Sequence, residues 1–179
     1  QQVQKERDSL LTSYQPYFTV DKNVEKNMQT KFRDDYNQTL KFFLPNTDYF
    51  RHINRTLKHI YERGVLSNND AQMLVEDSVQ SVLLVDKNVA TSQVTDQLFT
   101  IKEAYEYLLN ADTAHFSKRV LQSCNLVNYL TSNITYDMEK SEAALNDLIS
   151  SVAWAKGLMQ NGQRIIDRGE IINEDTYDI

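Results

Sequence analysis

The three histidines are the side chains whose chemistry most needs an explanation. His52 and His59 lie seven residues apart in one predicted helix, and His115 lies far along the chain from both. Metal ligands on a helix usually stand three or four residues apart, and no matching set of carboxylates accompanies this pair. The sequence also lacks a His-Asp dipeptide and the HExxH, GxSxG and phosphate-loop patterns. It therefore favours surface or half-buried histidines over metal ligands or catalytic bases.

The other reactive groups also fit structural roles. Cys124 is the only cysteine, so no disulfide can form within the chain, and its neighbours Val120 and Leu121 favour a buried thiol. Asp34 and Asp35 form an acidic pair on a predicted helix surface, where we expect solvated charge. The sequence thus predicts no catalytic residue, no metal site and no cofactor in this chain.

Glycosylation and ligand binding stay open at this level. Asn37, Asn54 and Asn133 each begin an Asn-x-Ser/Thr sequon, the pattern of N-glycosylation acceptors, but so short a pattern often arises by chance. The ten tyrosines recur mostly at helical core spacing, which favours packing over a ligand groove. The ligand-binding residues are therefore unknown from the sequence alone.

Composition limits the class of protein and of partner. A chain of 179 residues with 41% hydrophobic and 25% charged residues has ordinary globular composition and can bury a sizeable core. The net charge of -6 and the absence of a basic stripe argue against nucleic acid as a partner. No run of ~18 apolar residues predicts a membrane span. Gln1–Gln4 lacks the character of a signal peptide, so the chain is interpreted as an excerpt or a processed product.

Hydrophobic periodicity predicts a mostly helical chain, consistent with only two prolines and four glycines. Helices are expected over residues 3–13, 22–44, 48–63, 70–76, 100–110, 113–123 and 137–153, with a short turn or helix at 126–130. The helix at 22–44 carries the apolar residues Val24, Met28, Phe32, Tyr36, Leu40 and Phe43 on one face. The expected N-caps are Asp21, Asn46 or Thr47, Thr100 in a capping box with Glu103, Asp112 or Thr113, and Asp137.

Two regions predict strands. In the middle of the chain, apolar runs over residues 79–85 and 89–94 flank the turn Asp86–Asn88, which is typical of a β-hairpin. Near the end, residues 157–160, 163–166 and 171–172 are expected to be strands separated by Asn161-Gly162 and Asp167–Glu170 turns. Gly162 and Gly169 should lie in those turns, at least one with positive φ. Residues 15–20 are an extended segment that could join the sheet.

The predicted fold class is therefore α+β. We expect a mostly helical domain over residues 1–179, with a small β-sheet built from the central hairpin and the C-terminal strands. Asn173 then caps a new helix that has barely begun at Ile179.

Several segments, in order, resemble one family. Gly162 to Ile172, with the letters GQRIIDRGEII, resembles the closing signature of the extracellular domain of seven-transmembrane receptors with an intracellular HD phosphohydrolase. Asn133, Ile134, Tyr136 and Asp137 are similar to that family's "Asn-hydrophobic-x-Tyr-Asp" motif. Residues 13–18 resemble its early "Pro-Tyr" strand, and residues 90–112 resemble the version found in Bacteroidetes. The family includes PgpH-type cyclic di-AMP phosphodiesterases.

The resemblance implies an architecture. One transmembrane helix precedes such a domain, a transmembrane bundle follows it, and the catalytic HD domain lies in the cytoplasm. The metal-binding His and Asp residues of that HD domain have no counterpart here. The resemblance marks signature residues with a candidate role in coupling the domain to the membrane: Asn133, Asp137, Gly162, Arg164, Asp167, Arg168, Gly169 and Glu170.

The expected function is reception of a signal on the extracytoplasmic (periplasmic) face of the inner membrane. The ligand or partner would be an unknown small molecule, a cell-wall fragment or a periplasmic protein, and the chain could form a homo-oligomer. The output would be altered hydrolysis of cyclic di-AMP by the cytoplasmic part of the parent protein. The alternative is a periplasmic protein-interaction or scaffold module without a signalling role.

Overall fold

A computed structural model describes residues 2, 5 and 13–168 of the chain, with side chains as far as Leu158. The chain divides into two compact units. The larger unit is Gln15–Met138, and the smaller consists of Gln1–Tyr14 together with Glu139–Ile179. The larger unit contains the strands and the short helices, and the smaller contains most of one long helix.

Short polar side chains fix where the helices begin. Asp21 accepts a hydrogen bond at 3.0 Å from the backbone N–H of Asn23, and Asn46 accepts one at 3.0 Å from Asp48. Each such cap satisfies an amide that has no partner inside the helix and contributes about 1 kcal/mol. Over residues 13–168 the α-helices are α1 (Lys22–Gln38), α2 (Thr47–Arg63), α3 (Asn68–Glu76), α4 (Ile101–Asn110), α5 (Lys118–Ser123) and α6 (Met138–Arg168).

The N-cap half of the predicted capping box is present at the start of α4, whereas the Glu103 carboxylate bonds to the Thr100 hydroxyl. The hydroxyl of Thr100 accepts from the backbone N–H of Glu103 at 3.2 Å and donates to the Glu103 carboxylate at 3.0 Å. At α5 the prediction was wrong by several residues, because Ser117 is the cap. Asp112 instead accepts from the backbone N–H of His115 at 3.2 Å, in the loop before that helix.

The sheet has the predicted central hairpin. Its strands are β1 (Tyr17–Val20), β3 (Ser81–Asp86), β4 (Val89–Val94) and β6 (Ile134–Tyr136), in the order β4-β3-β1-β6. β1 runs parallel to β3 and antiparallel to β6, so the extended segment near residue 17 joins the sheet as an inner strand. A separate parallel pair consists of β2 (Val65–Leu66) and β5 (Phe99–Thr100).

A two-residue turn closes the hairpin. Lys87 and Asn88 have φ values of 47° and 65°. Two consecutive left-handed residues are the mark of a type I′ turn, whose twist matches that of the paired strands. Asn tolerates this conformation better than most residues, so Asn88 is a suitable second turn residue.

Two hydrophobic clusters stabilise the larger unit. The helical cluster lies among α1, α2, α4 and the segment 116–130, and it includes Tyr49, Ile53, Leu57 and Ile60 of α2. Cys124 is buried in the same cluster, as predicted. The sheet cluster contains Phe18, Leu66, Leu74, Val82, Leu98 and Ile134.

The C-terminal strands were predicted wrongly. α6 is a continuous helix from Met138 to Arg168, so residues 157–166 are helical and Asn161-Gly162 is not a turn. Residues 169–179, with Gly169, the strand predicted at 171–172 and the Asn173 cap, lie outside the described part. The places expected for those strands in the sheet are taken by β1 and β6.

One residue of the predicted apolar face of α1 is also exposed. α1 ends at Gln38, and a 3-10 turn, Leu40–Phe42, follows it. The tighter turn changes the direction of later side chains, and Phe43 is 72% exposed. Phe32 is buried as predicted, and Val24, Met28, Tyr36 and Leu40 pack against the helical cluster.

Candidate functional site

A cleft of about 230 Å³ opens in the larger unit beside the sheet. The sheet contributes side chains from the end of β1, from β3 and from β4. The helices contribute the first turn of α1 and the last turn of α2. The lining residues are Val20, Lys22, Glu25, Tyr61, Glu62, Leu84, Asp86, Thr91 and Asn133.

An ion pair joins the two sides of the cleft. The Lys22 ammonium lies 2.9 Å from the carboxylate of Asp86, which is the last residue of β3. The hydrogen bond and the charge of Asp86 raise the pKa of Lys22. Because Lys22 is largely exposed, the pair adds little to stability, and a ligand can compete for either partner at low energetic cost.

Two further carboxylates make the cleft acidic. Glu25 lies on α1 and Glu62 on α2, and Lys58 approaches Glu62 at 4.0 Å. Burial, and after it the negative charge of Glu62, raises the pKa of Glu25. A carboxylate with a raised pKa gains from a nearby cation, because the cation favours its charged form. With one lysine and three carboxylates in its lining, the cleft favours a positively charged group.

The buried hydroxyl of Tyr61, which also lines the cleft, already has hydrogen-bond partners. The hydroxyl of Tyr61 donates to the backbone carbonyl of Tyr129 and accepts from the N–H of Thr131 at 3.2 Å. Burial raises the pKa of Tyr61 to about 12, so this hydroxyl stays neutral. Apart from Tyr61 and Asn133, the polar side chains that line the cleft are therefore the charged residues and Thr91.

Asn133 is the best explained of the predicted signature residues. Its side chain is buried, with Oδ1 accepting from Val65 N at 2.7 Å and Nδ2 donating to the Tyr61 carbonyl at 2.8 Å. Its backbone N–H donates to the Val65 carbonyl at 3.1 Å. Asn133 thus links the start of β6 to β2, and this sequon is not open to a glycan in the folded unit.

The other signature residues are spread along α6 and beyond it. The backbone N–H of Asp137 donates to the Tyr17 carbonyl at 2.9 Å, immediately before the helix begins. Gly162, Arg164, Asp167 and Arg168 lie within α6 and not in the predicted strands and turns, and their side chains are outside the described part. Gly169 and Glu170 lie beyond the described residues.

His52 and His59 pack against aromatic rings. His52 stacks on Phe116 with ring centroids 4.0 Å apart, and His59 stacks on Tyr107 at 5.4 Å. The Nε2 atoms of His52 and His59 are buried without a hydrogen-bond partner. Over the described residues, no group of three His, Cys, Asp or Glu side chains is placed to hold a metal ion.

One acidic residue has a role that the sequence did not indicate. Asp35 was expected to be solvated, but its carboxylate accepts from the hydroxyl of Tyr129 at 2.7 Å. Burial, and after it this interaction, raises the pKa of Tyr129. Asp34 is exposed as expected. The spacing along α1 could not reveal the pair, because its partner lies 94 residues away.

A comparison with protein families decides the relationship of the chain. The family described as the 7TM-HD extracellular domain matches residues 1–179. The chain belongs to the 7TM-HD extracellular family. It is therefore a receptor-type domain and not an HD catalytic domain, as the sequence predicted. Comparisons with curated proteins and with solved structures gave no significant match.

The description of the 7TM-HD extracellular family places such domains outside the membrane in a seven-transmembrane protein. Within the described part of this member, none of the helices combines the length and the hydropathy that crossing a bilayer requires.

Proposed function

We propose that this 7TM-HD extracellular domain binds a small ligand in the acidic cleft and thereby regulates a cytoplasmic HD phosphohydrolase. The observation that supports the proposal is the cleft itself, where weakly held charges from two helices and a hairpin converge. A ligand that binds one arrangement of these elements better than another shifts the population toward it.

The charges of the cleft define the chemistry of the ligand. An ammonium group would lie between Glu25 and Glu62, and a short apolar stem would contact Val20 and Leu84. If the ligand also carries a carboxylate, Lys22 can bind it after release from Asp86. Amino acids, amino sugars and the peptide part of cell-wall fragments have this combination of groups.

Thermal unfolding of the domain in a panel of amino acids, short peptides, sugars and cell-wall fragments tests ligand binding. A ligand that binds only the folded state raises the melting temperature. At a ligand concentration of a hundred times Kd, the folded state gains about 2.7 kcal/mol of stability. Glu25→Gln and Glu62→Gln should remove most of this shift. Glu106→Gln, an exposed glutamate on α4 outside the cleft, should leave it unchanged. A shift that survives in the double cleft variant would contradict this site.

The proposed output is hydrolysis of cyclic di-AMP by the parent protein, anchored in the inner membrane with this domain on the periplasmic side. The test is hydrolysis by the full-length protein in vesicles, with and without the identified ligand. If a partner or ligand binds but the rate does not change, the domain is the interaction or scaffold module that is the alternative to a sensor.

A further inference from the structure

Among the described residues, one edge of the sheet in the larger unit has no partner strand. β4 is the last strand in the order β4-β3-β1-β6, and five of its six residues are exposed, including Val89 at 64% and Val94 at 52%. Its sequence, VATSQV, contains no charged residue and no proline. Exposed edge strands usually carry such residues because an unprotected edge pairs with other chains.

The opposite edge of the same sheet is covered. Beside β6, the backbone N–H of Tyr136 donates to the carboxylate of Asp70 at 3.3 Å, and Asn133 bonds to Val65 immediately before the strand. In the described part of the chain, no comparable group reaches the outer amides of β4. The sheet is therefore protected on one side and open on the other.

The hairpin determines which groups of β4 point outward. Thr95 N donates to Gln80 O at 2.9 Å, and Leu83 N donates away from β4, to Pro16 O at 2.9 Å. Residue pairs in an antiparallel ladder alternate between hydrogen-bonded and non-hydrogen-bonded pairs. Ser92 is opposite Leu83, whose N–H points away from β4, so these two residues form a non-hydrogen-bonded pair. The outward N–H and C=O groups of β4 therefore belong to Ala90, Ser92 and Val94.

We infer that β4 is an interface for a second copy of this chain, with the two β4 strands antiparallel about a two-fold axis at Ser92. In this register Ser92 is opposite Ser92 of the second copy, and Ala90 is opposite Val94. All three outward residues of each strand then pair with outward residues of the other. The interface is self-complementary, as two-fold symmetry requires, and the two sheets become one sheet of eight strands.

The charge of β4 is compatible with a second copy as the occupant. The strand contains no charged residue, and the 3-10 helix Thr95–Gln97 follows it directly, so the paired segment ends at Val94. No like charges are opposed within β4. A strand pair of this length is small for a stable interface in solution, but anchoring two copies in one membrane raises their effective concentration.

Disulfide cross-linking of Ser92→Cys in the full-length membrane protein tests the register. The native Cys124 is buried and provides little background. Opposed residues in a hydrogen-bonded pair have Cα atoms about 5.5 Å apart, within reach of a disulfide. The matched variant is Gln93→Cys. In this register residue 93 is opposite residue 91 of the second copy, so the Cα atoms of the two copies of residue 93 are more than 7 Å apart and should cross-link weakly.

We expect at least tenfold faster covalent dimer formation for Ser92→Cys than for Gln93→Cys under mild oxidation. Adding Ala90→Lys to Ser92→Cys should reduce that rate to the level of Gln93→Cys, because a lysine then stands on each edge. Equal rates in the two single variants, or a rate unaffected by Ala90→Lys, would overturn the inference. Cross-linking needs no ligand, so its failure would leave the proposed sensing function standing.

Discussion

At the scale of single residues, the buried polar side chains are the informative ones. Asn133 satisfies a donor and an acceptor that the ends of α2 and β2 would otherwise leave unpaired. His52 does the opposite, because its Nε2 atom is buried without a partner. One residue therefore stabilises the fold through its polarity, and the other is tolerated only while it is neutral.

We predict that Asn133→Ala destabilises the larger unit by about 2 kcal/mol or more, because Val65 N and the Tyr61 carbonyl both lose a buried partner. Chemical denaturation measures the loss. Asn37→Ala changes an exposed sequon and should alter stability by less than about 0.5 kcal/mol. Equal effects of the two substitutions would contradict the structural role of Asn133.

The stability of the larger unit should also decrease as the pH decreases, because His52 is buried. Burial lowers the pKa of His52, with Asp112 acting against that effect and Arg55 adding to it. In the unfolded chain the pKa of His52 is ~6.5, so as the pH falls the unfolded chain binds a proton at this residue before the folded chain does. The stability that depends on neutral His52 is fully present above pH ~6.5 and is lost as the pH falls through the lower pKa of the folded state. Denaturation between pH 7.5 and 5 should show a shallower decline in His52→Gln than in the parent chain. Parallel curves would refute the assignment.

At the scale of elements, Gly64 determines how α2 joins β2. It has φ 112°, a conformation that L side chains rarely adopt. A Cβ there would lie 3.0 Å from Ile134 Cδ1 and 3.2 Å from Leu98 Cδ2. The helix therefore ends at a residue that must be glycine both for its backbone angle and for the close approach of the sheet cluster.

Gly64→Ala should cost about 1 kcal/mol or more, because both the angle and the contact oppose a methyl group. Gly157 is the matched control, since it lies inside α6 and a Cβ there would meet nothing within 4 Å. Gly157→Ala should raise helix stability by about 0.5–1 kcal/mol. Thermal unfolding followed by circular dichroism measures both changes. A neutral Gly64→Ala would show that the backbone there relaxes freely.

At the scale of the whole molecule, the chain is a receptor-type domain whose described surface offers an acidic cleft and an open sheet edge. Thr91 lines the cleft, and the backbone N–H and C=O groups of the neighbouring Ser92 point to the edge. The expectation that residues 1–179 form a single domain stays a prediction. The coupling role of Arg164, Asp167, Arg168 and Glu170 also stays a prediction. The first three of these residues would have to act through α6, where they lie.

The isolated chain should neither hydrolyse cyclic dinucleotides nor retain a transition metal. The reason is that the sequence lacks the paired His and Asp ligands of an HD site. Elemental analysis of protein purified without chelators, combined with a hydrolysis assay, checks both statements. Stoichiometric metal together with turnover would contradict them.

Much of the fold was predictable because its signals are local. The caps Asp21, Asn46 and Thr100 and the hairpin turn at Lys87-Asn88 depend on a few neighbouring residues. The C-terminal prediction failed because Asn161-Gly162 is a strong turn signal only where strands flank it. The helical spacing of Leu148 and Val152 continues through Ala155 and Leu158, and this pattern is the signal that indicates one long helix.

The sequence by itself determined the α+β class, most helix positions, the central hairpin and the membership of the family. Tertiary structure alone decided the order of the sheet, because β1 pairs with β3 and β6 across long stretches of chain. It also decided the cleft, since Lys22 meets Asp86 only after α1 has packed beside the hairpin. Periodicity reports which face of an element is buried, but the partner of that face depends on contacts between residues far apart in sequence.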